Sequence, residues 1–329
     1  MKKYICLFAF AAFTFLSCEK DLSLNNQFGK TASFTAFTGV DSDNTATKTT
    51  IAYEGGQYKT KWNGGETVNV FKMSTPCTNG KTYETFSAKA FANQTPGVNT
   101  SANFVATSGF WSEDFESTEK YVITYNGTSV VGAYSDSEST VLNFAYIYLN
   151  VPKTQTYTPE NEFKIADNIL PLYGGVYCDG NSDKDAVSMK NAAIIINLTL
   201  RNNMESPVTI KKIVLSSSRG DGRDGIVGGM ICNYTSGKIT VNKGYGMFGG
   251  DGEPTLTLNC PSGKRPTIAV GETETFGFVI AQAQPNVLTW TAYDESDNAI
   301  GTIASIDLTG KTLVPGNYYT LTRAITPVP

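Results

Sequence analysis

Histidine is absent from all 329 residues. That removes imidazole from the available chemistry: no Ser-His-Asp or Cys-His nucleophile can be built, and no zinc site with histidine ligands. Catalysis would be left with carboxylates, Ser-Lys pairs or a bound cofactor. The six cysteines include no Cys-x-x-Cys pair, so metal and redox readings of them are weak. The 26 basic residues are scattered among 30 acidic ones, and the electrostatic footprint of nucleic-acid binding is missing. Beyond Leu16 no apolar run approaches the roughly 18 residues of a membrane-crossing helix. No segment carries a sustained 3.6-residue apolar period either, so helices are not expected.

What is present begins with a leader. Lys2 and Lys3 precede an apolar stretch, Tyr4 to Leu16, of secretory-leader length. Ser17 then meets Cys18, and Glu19-Lys20-Asp21 follows directly. Phe15-Leu16-Ser17-Cys18 resembles a bacterial lipobox, with Phe15 where leucine is usual. The expectation is a signal peptide over 1–17, cut between Ser17 and Cys18, and a lipidated tether over 18–30. A diacylglycerol thioether and an N-acyl chain on Cys18 would exceed the two-signal requirement for stable membrane attachment. The charged triplet is similar to the export signal of Bacteroidetes surface lipoproteins.

About 310 residues remain after the leader, enough for two domains. Strand-like segments split by turn residues recur throughout. Examples are "ASFTAFT", "YKTKW", "ETVNVFK", "ANFVAT", "KYVITY", "AIIINLTL", "TLTLNC", "VLTWTAY" and "NYYTLTRAI". The pattern predicts an all-β sandwich architecture. In "ASFTAFT" the alternation puts Ala32, Phe34 and Ala36 on one face and Ser33, Thr35 and Phe37 on the other. The Pro-bearing passage from Val151 to Gly175 reads as a junction. One domain is expected over 31–180, with its first strand at 31–38, and a second over 181–329. Cys77, Cys178, Cys232 and Cys260 could form two disulfides in any of three pairings, or stay as buried thiols.

The individual motifs favour unremarkable readings. Asp179 to Asp183 starts like a calcium loop, but Lys184 and Lys190 stand where glycine and the bidentate glutamate belong. Gly244-x-Gly246-x-x-Gly249 has no helix after it to receive a phosphate. Ser117-x-x-Lys120 leads into a strand, where the pair cannot share a helix face. Glu272 and Glu274 lie on one strand face, not on opposite sides of a bond as a glycosidase needs. Arg219-Gly220-Asp221 reads as a turn. Trp62, Trp111 and Trp290 could stack on sugar rings, although aromatics in sandwiches more often fill the core.

Several fragments together resemble the fimbrillin family of Bacteroidetes, the subunits of type V pili. They are "TKTTIAYEGGQYKTKWNGGETVNVF" (Thr47 to Phe71), "VPKTQTY" (Val151 to Tyr157) and "MKNAAIIINLTLRN" (Met189 to Asn203). "IKKIVLSS" with "GIVGG", and "LVPGNYYTLTRAI" (Leu313 to Ile325), complete the set. Glu66 stands where the family more usually has aspartate. The resemblance implies two transthyretin-like β-sandwich domains, no enzymatic activity and no cofactor. It also implies outer-membrane delivery through the lipid anchor, a trypsin-like maturation protease, and assembly with other pilin subunits into a surface fimbria by strand exchange. On that scheme the cut falls between Lys48 and Thr49, within a polar loop of the kind proteases prefer. It would free the strand bearing Ala32, Phe34 and Ala36. Only four residues follow "YYTLTRAI", which leaves no obvious extra donor strand and points to a tip or accessory subunit if the last strands are not themselves donors. The competing expectation is a monomeric glycan-binding surface lipoprotein.

Overall fold

The computed structural model describes residues 33–37, 50–54, 57–72, 84–85, 88–107, 120–125, 127–133, 145–161, 163–166, 169–177, 186–219, 224–235, 238–243, 252–281 and 285–328. Every regular element among them is a strand, as the alternating pattern predicts.

The first sheet has eight strands. They are β1 (Ser33–Phe37), β4 (Thr67–Lys72), β6 (Lys89–Asn93), β7 (Ser101–Ala106), β8 (Lys120–Tyr125), β12 (Leu172–Tyr177), β13 (Ala186–Ser188) and β14 (Lys190–Asn191). Their order is β13-β1-β7-β6-β4-β8-β12-β14. β13 and β14 are separated only by Met189, so one stretch of chain pairs with β1 at one end of the sheet and with β12 at the other. The sheet thereby closes on itself, and β1 has no free edge. Gly174 of β12 makes the closure sterically feasible. A Cβ there would lie 2.8 Å from both Met189 Sδ and the Ser188 carbonyl. The short hairpin of β2 (Thr50–Glu54) and β3 (Gln57–Lys61) stands apart from this sheet.

A second sheet draws on both halves of the chain. It runs β19 (Lys238–Lys243), β18 (Gly228–Thr235), β10 (Ala145–Val151), β9 (Gly127–Ala133) and β5 (Glu84–Thr85).

Two further sheets make a sandwich. One runs β11 (Thr154–Thr156), β20 (Thr255–Asn259), β17 (Lys212–Ser218), β23 (Val287–Tyr293), β25 (Ile306–Asp307). The other runs β22 (Thr273–Ile280), β15 (Ile194–Asn202), β26 (Tyr318–Thr326), β24 (Thr302–Ile303). β16 (Val208–Thr209) and β21 (Thr267–Ile268) form a small clip. Strict alternation buries one face of β17 through Ile213 and Leu215, and of β23 through Leu288, Trp290 and Ala292. β15 differs: Ile194 to Leu198 is an unbroken apolar run apart from Asn197, and all five residues are buried. Such a run belongs to a strand covered on both faces.

Hydrogen bonding crosses residue 180, where the sequence places the domain junction, in both directions. Strands at 186–191 complete the first sheet, while Gln155 and its neighbours join the last sandwich. The passage from Val151 to Gly175 is itself packed, with Tyr157, Phe163, Ile165 and Leu170 buried. Gln155 sits on β11 in one sheet and reaches β22 at the edge of the other. Its side-chain amide donates to the Val279 carbonyl at 2.6 Å and accepts from the Val279 N–H at 2.9 Å. An edge strand is thus satisfied by a side chain from the facing sheet. Beside it, Gly277 lets the same passage lie flat, since a Cβ there would come within 2.2 Å of the Phe163 carbonyl.

Gln155→Leu removes both bonds while keeping the bulk, and should cost about 2–4 kcal/mol by stranding two backbone groups of Val279. Urea unfolding with an unchanged m-value checks this; a loss below about 0.5 kcal/mol would mean water replaces the amide.

Candidate functional site: the first strand and its slot

The sequence of β1, Ser-Phe-Thr-Ala-Phe, combines β-branched and aromatic residues with strict alternation. Phe34 and Ala36 point inward and are 1% and 0% exposed; Ser33 and Thr35 are half-buried on the other side. β1 lies antiparallel to β7, with Phe34 opposite Phe104 and Ala36 opposite Ala102. On its other side it runs parallel to β13, with Ala36 beside Val187. Both neighbours are distant in sequence, so β1 is held by contacts its own vicinity does not supply.

The slot floor is aromatic. The Phe34 ring stacks on Phe104, with centroids 5.5 Å apart and planes 13° apart, and tilts against Phe91 at 5.3 Å. Trp62 meets Phe104 edge-on at 4.9 Å and Tyr125 at 5.9 Å. Such pairs contribute about 0.5–1.5 kcal/mol each beyond their area. Trp62 is anchored by a two-way backbone bridge to Asn99, at 2.7 and 2.8 Å. Its indole N–H is buried without a partner.

The turn after Trp62 is built by Gly64, Gly65 and Glu66. Gly64 and Gly65 have φ of 91° and 77°, a region open to glycine at little cost. The Glu66 carboxylate, 7% exposed, folds back to accept the N–H groups of Asn63 and Gly64, the latter at 3.0 Å. Asn93 Nδ2 donates to it at 2.7 Å, tying the turn to the end of β6. The turn therefore aims Trp62 at the slot floor and launches β4. An aspartate side chain would be one methylene shorter in the same role.

Several expected site residues lie outside the described residues: Ser17, Cys18, Ala32, Lys48, Thr49, Cys77, Trp111 and Cys178, with Asp179 to Asp185, Gly220, Asp221 and the 244–249 glycines. Cys232 is described only as backbone of β18. Cys260, for which the sequence leaves a disulfide and a buried thiol both open, is a buried free thiol here, 3% exposed. It follows β20, and its backbone N–H donates to Lys211 in the sandwich. Burial pushes its pKa up to about 12, with Glu274 adding to the rise and Arg265 opposing it. Tyr157, in the same region, is likewise raised, by burial first and then by the charge and hydrogen bond of Glu274. Trp62 and Trp290 are 0% and 1% exposed and cannot serve as sugar platforms. Among the described residues no group of three or more acidic or cysteine side chains could hold a metal ion.

No protein-family model matches the chain, and no curated protein matches it. Similar solved structures include a candidate cell adhesion protein from Bacteroides uniformis. It is 13% identical, with 90% of this chain and 93% of that chain covered and a TM-score of 0.44. Another, from Bacteroides ovatus, is 10% identical over 91% of this chain and 93% of that chain, with a TM-score of 0.46. The shaft pilin SpaA of Lactobacillus rhamnosus is 10% identical over 92% and 100%, with a TM-score of 0.27. Likeness at this level carries no functional argument.

Two outcomes are expected. Phe34→Ala should lose about 3–5 kcal/mol in equilibrium unfolding, whereas Thr35→Ala should stay within about 1 kcal/mol. Equal effects would mean that Phe34 is not the strand's anchor. Cys260 should resist iodoacetamide at pH 8 in the folded chain and react on unfolding. A raised thiol pKa also favours the folded state fully below the unfolded value of about 8.5, and that contribution is lost as pH climbs towards 12. Mass-spectrometric mapping of Cys260 alkylation in native buffer would contradict its burial.

Proposed function

We propose that this chain is a structural and adhesive subunit of a surface fimbria, exported as a lipoprotein and joined to its neighbours by strand exchange at the β1 slot. The reading assigns it no catalytic reaction. The observation that carries it is the position of β1: a five-residue strand near the N-terminus, anchored by Phe34 and Ala36 and paired on both sides only with distant strands.

The energetics support exchange. Burying a phenylalanine side chain contributes about 1.5–3 kcal/mol, and an incoming strand of similar pattern would regain it, together with the ladder hydrogen bonds. What favours the resident strand is its covalent tether, which makes its binding intramolecular and so raises its effective concentration. A cut between Lys48 and Thr49 abolishes that advantage. The outgoing strand becomes an ordinary ligand, diluted into the surroundings, and a donor strand competes on equal terms. Before the cut, β1 shields two open strand edges and an aromatic floor, which guards against premature association during export.

Cys18 serves in this scheme as the delivery anchor at the outer membrane, and the trypsin-like protease releases the mature subunit from it. The N-terminus of the protein recovered from the cell surface tests the scheme by mass spectrometry. A chain beginning at Thr49 without lipid is expected. A chain still beginning at acylated Cys18 would leave a permanently anchored protein, and the cut-and-exchange scheme would fail.

A further inference from the structure

We propose that the β1 slot selects its occupant by an aromatic residue followed two positions later by alanine or glycine. We further propose that in assembly this strand comes from a different protein, not from β26 of a second copy. The inference rests on the strand-exchange reading and specifies its partner.

The two inward positions of the slot make opposite demands. At Phe34 the slot is wide and flat: Phe104 lies parallel beneath the ring and Phe91 leans on its side. A small residue there would leave a cavity lined by phenylalanine. At Ala36 the slot is narrow. The residue sits between Ala102 on β7 and Val187 on β13, both 1% exposed. Val187 in turn packs over Gly174 of β12, where an added Cβ would lie 3.0 Å from Val187 Cγ1. A larger side chain at position 36, which is 0% exposed, would have to displace buried neighbours. The outer face asks little, since Ser33 and Thr35 are only half-buried.

β26 does not satisfy these demands in any register. One of its faces carries Tyr319, Leu321, Arg323 and Ile325, which would put leucine in the narrow position and bring a guanidinium to the slot. The other carries Tyr318, Thr320, Thr322 and Ala324, which would press two threonine hydroxyls against an apolar floor without partners. Nowhere in Tyr318–Thr326 does an aromatic residue stand two positions ahead of alanine or glycine. A β1 strand of another copy has the right pattern, but uncut it is held in its own slot by its tether, and once cut it is no longer joined to a subunit and cannot link two copies. The fitting donor is therefore a heterologous strand.

The test uses the full chain with a specific-protease site placed between β1 and β2, cut in the folded state and challenged with labelled peptides. The β1 peptide TASFTAFTG should exchange in. Its Phe34→Ala version should bind about a hundredfold more weakly, and its Ala36→Phe version should not enter. The β26 peptide YYTLTRAITPV should also fail to enter. Entry of the β26 peptide or the Ala36→Phe peptide within about tenfold of the β1 peptide would overturn the selectivity while leaving strand exchange intact. Exclusion of every peptide, the β1 peptide included, would defeat strand exchange itself and the selectivity with it.

Discussion

The closure of the eight-stranded sheet is the constraint on which the rest of the first unit depends. A strand at 186–191 is shared between the two ends of the sheet, pairing with β12 through Lys190 and Asn191 and with β1 through Ala186 to Ser188. Closure removes the unpaired edges that an open sheet would present. β1 is the first described strand of that ring, and its departure would reopen it between β7 and β13. Gly174 is the steric condition for that arrangement, and the Phe34–Phe104–Phe91–Trp62 cluster is its apolar counterpart.

The last sandwich solves a related problem differently. β22 is an edge strand there, yet its Val279 backbone is satisfied by the Gln155 amide and its Gly277 is covered by the Phe163–Ile165 passage. Polar satisfaction and apolar cover are thus supplied by a segment that reads as a linker in one dimension. The same segment joins the strands before it to sheets formed mostly from residues after 190, so the two halves of the chain are interleaved by hydrogen bonds and not merely connected.

The ionisable groups among the described residues are governed by packing and by solvent. Two of the buried titratable groups, Cys260 and Tyr157, are pushed towards their neutral forms by burial, and the buried carboxylate of Glu66 is absorbed by a turn. The exposed ion pairs, such as Asp297 with Lys211 and Lys212, are of the surface type that contributes little.

The sequence by itself determined the local events. Alternation located β1, β7, β8, β17, β23 and β26 closely, and it assigned Phe34 and Ala36 to one face, because side-chain period is a property of the strand alone. It was silent on β9, β12 and β18, where Gly127, Gly174-Gly175 and Gly228-Gly229 interrupt the apolar signal that marks a strand. It also could not show that Gln155 is a cross-sheet clasp, that Cys260 is buried, or that Trp62 is a floor and not a platform. Those outcomes turn on which distant segments meet. Partner choice in a sheet is made by tertiary packing, since every strand offers the same backbone groups to any neighbour. The faces were written in the chain; the closing of the ring around β1 was decided only when residues 33–37 and 186–191 came together.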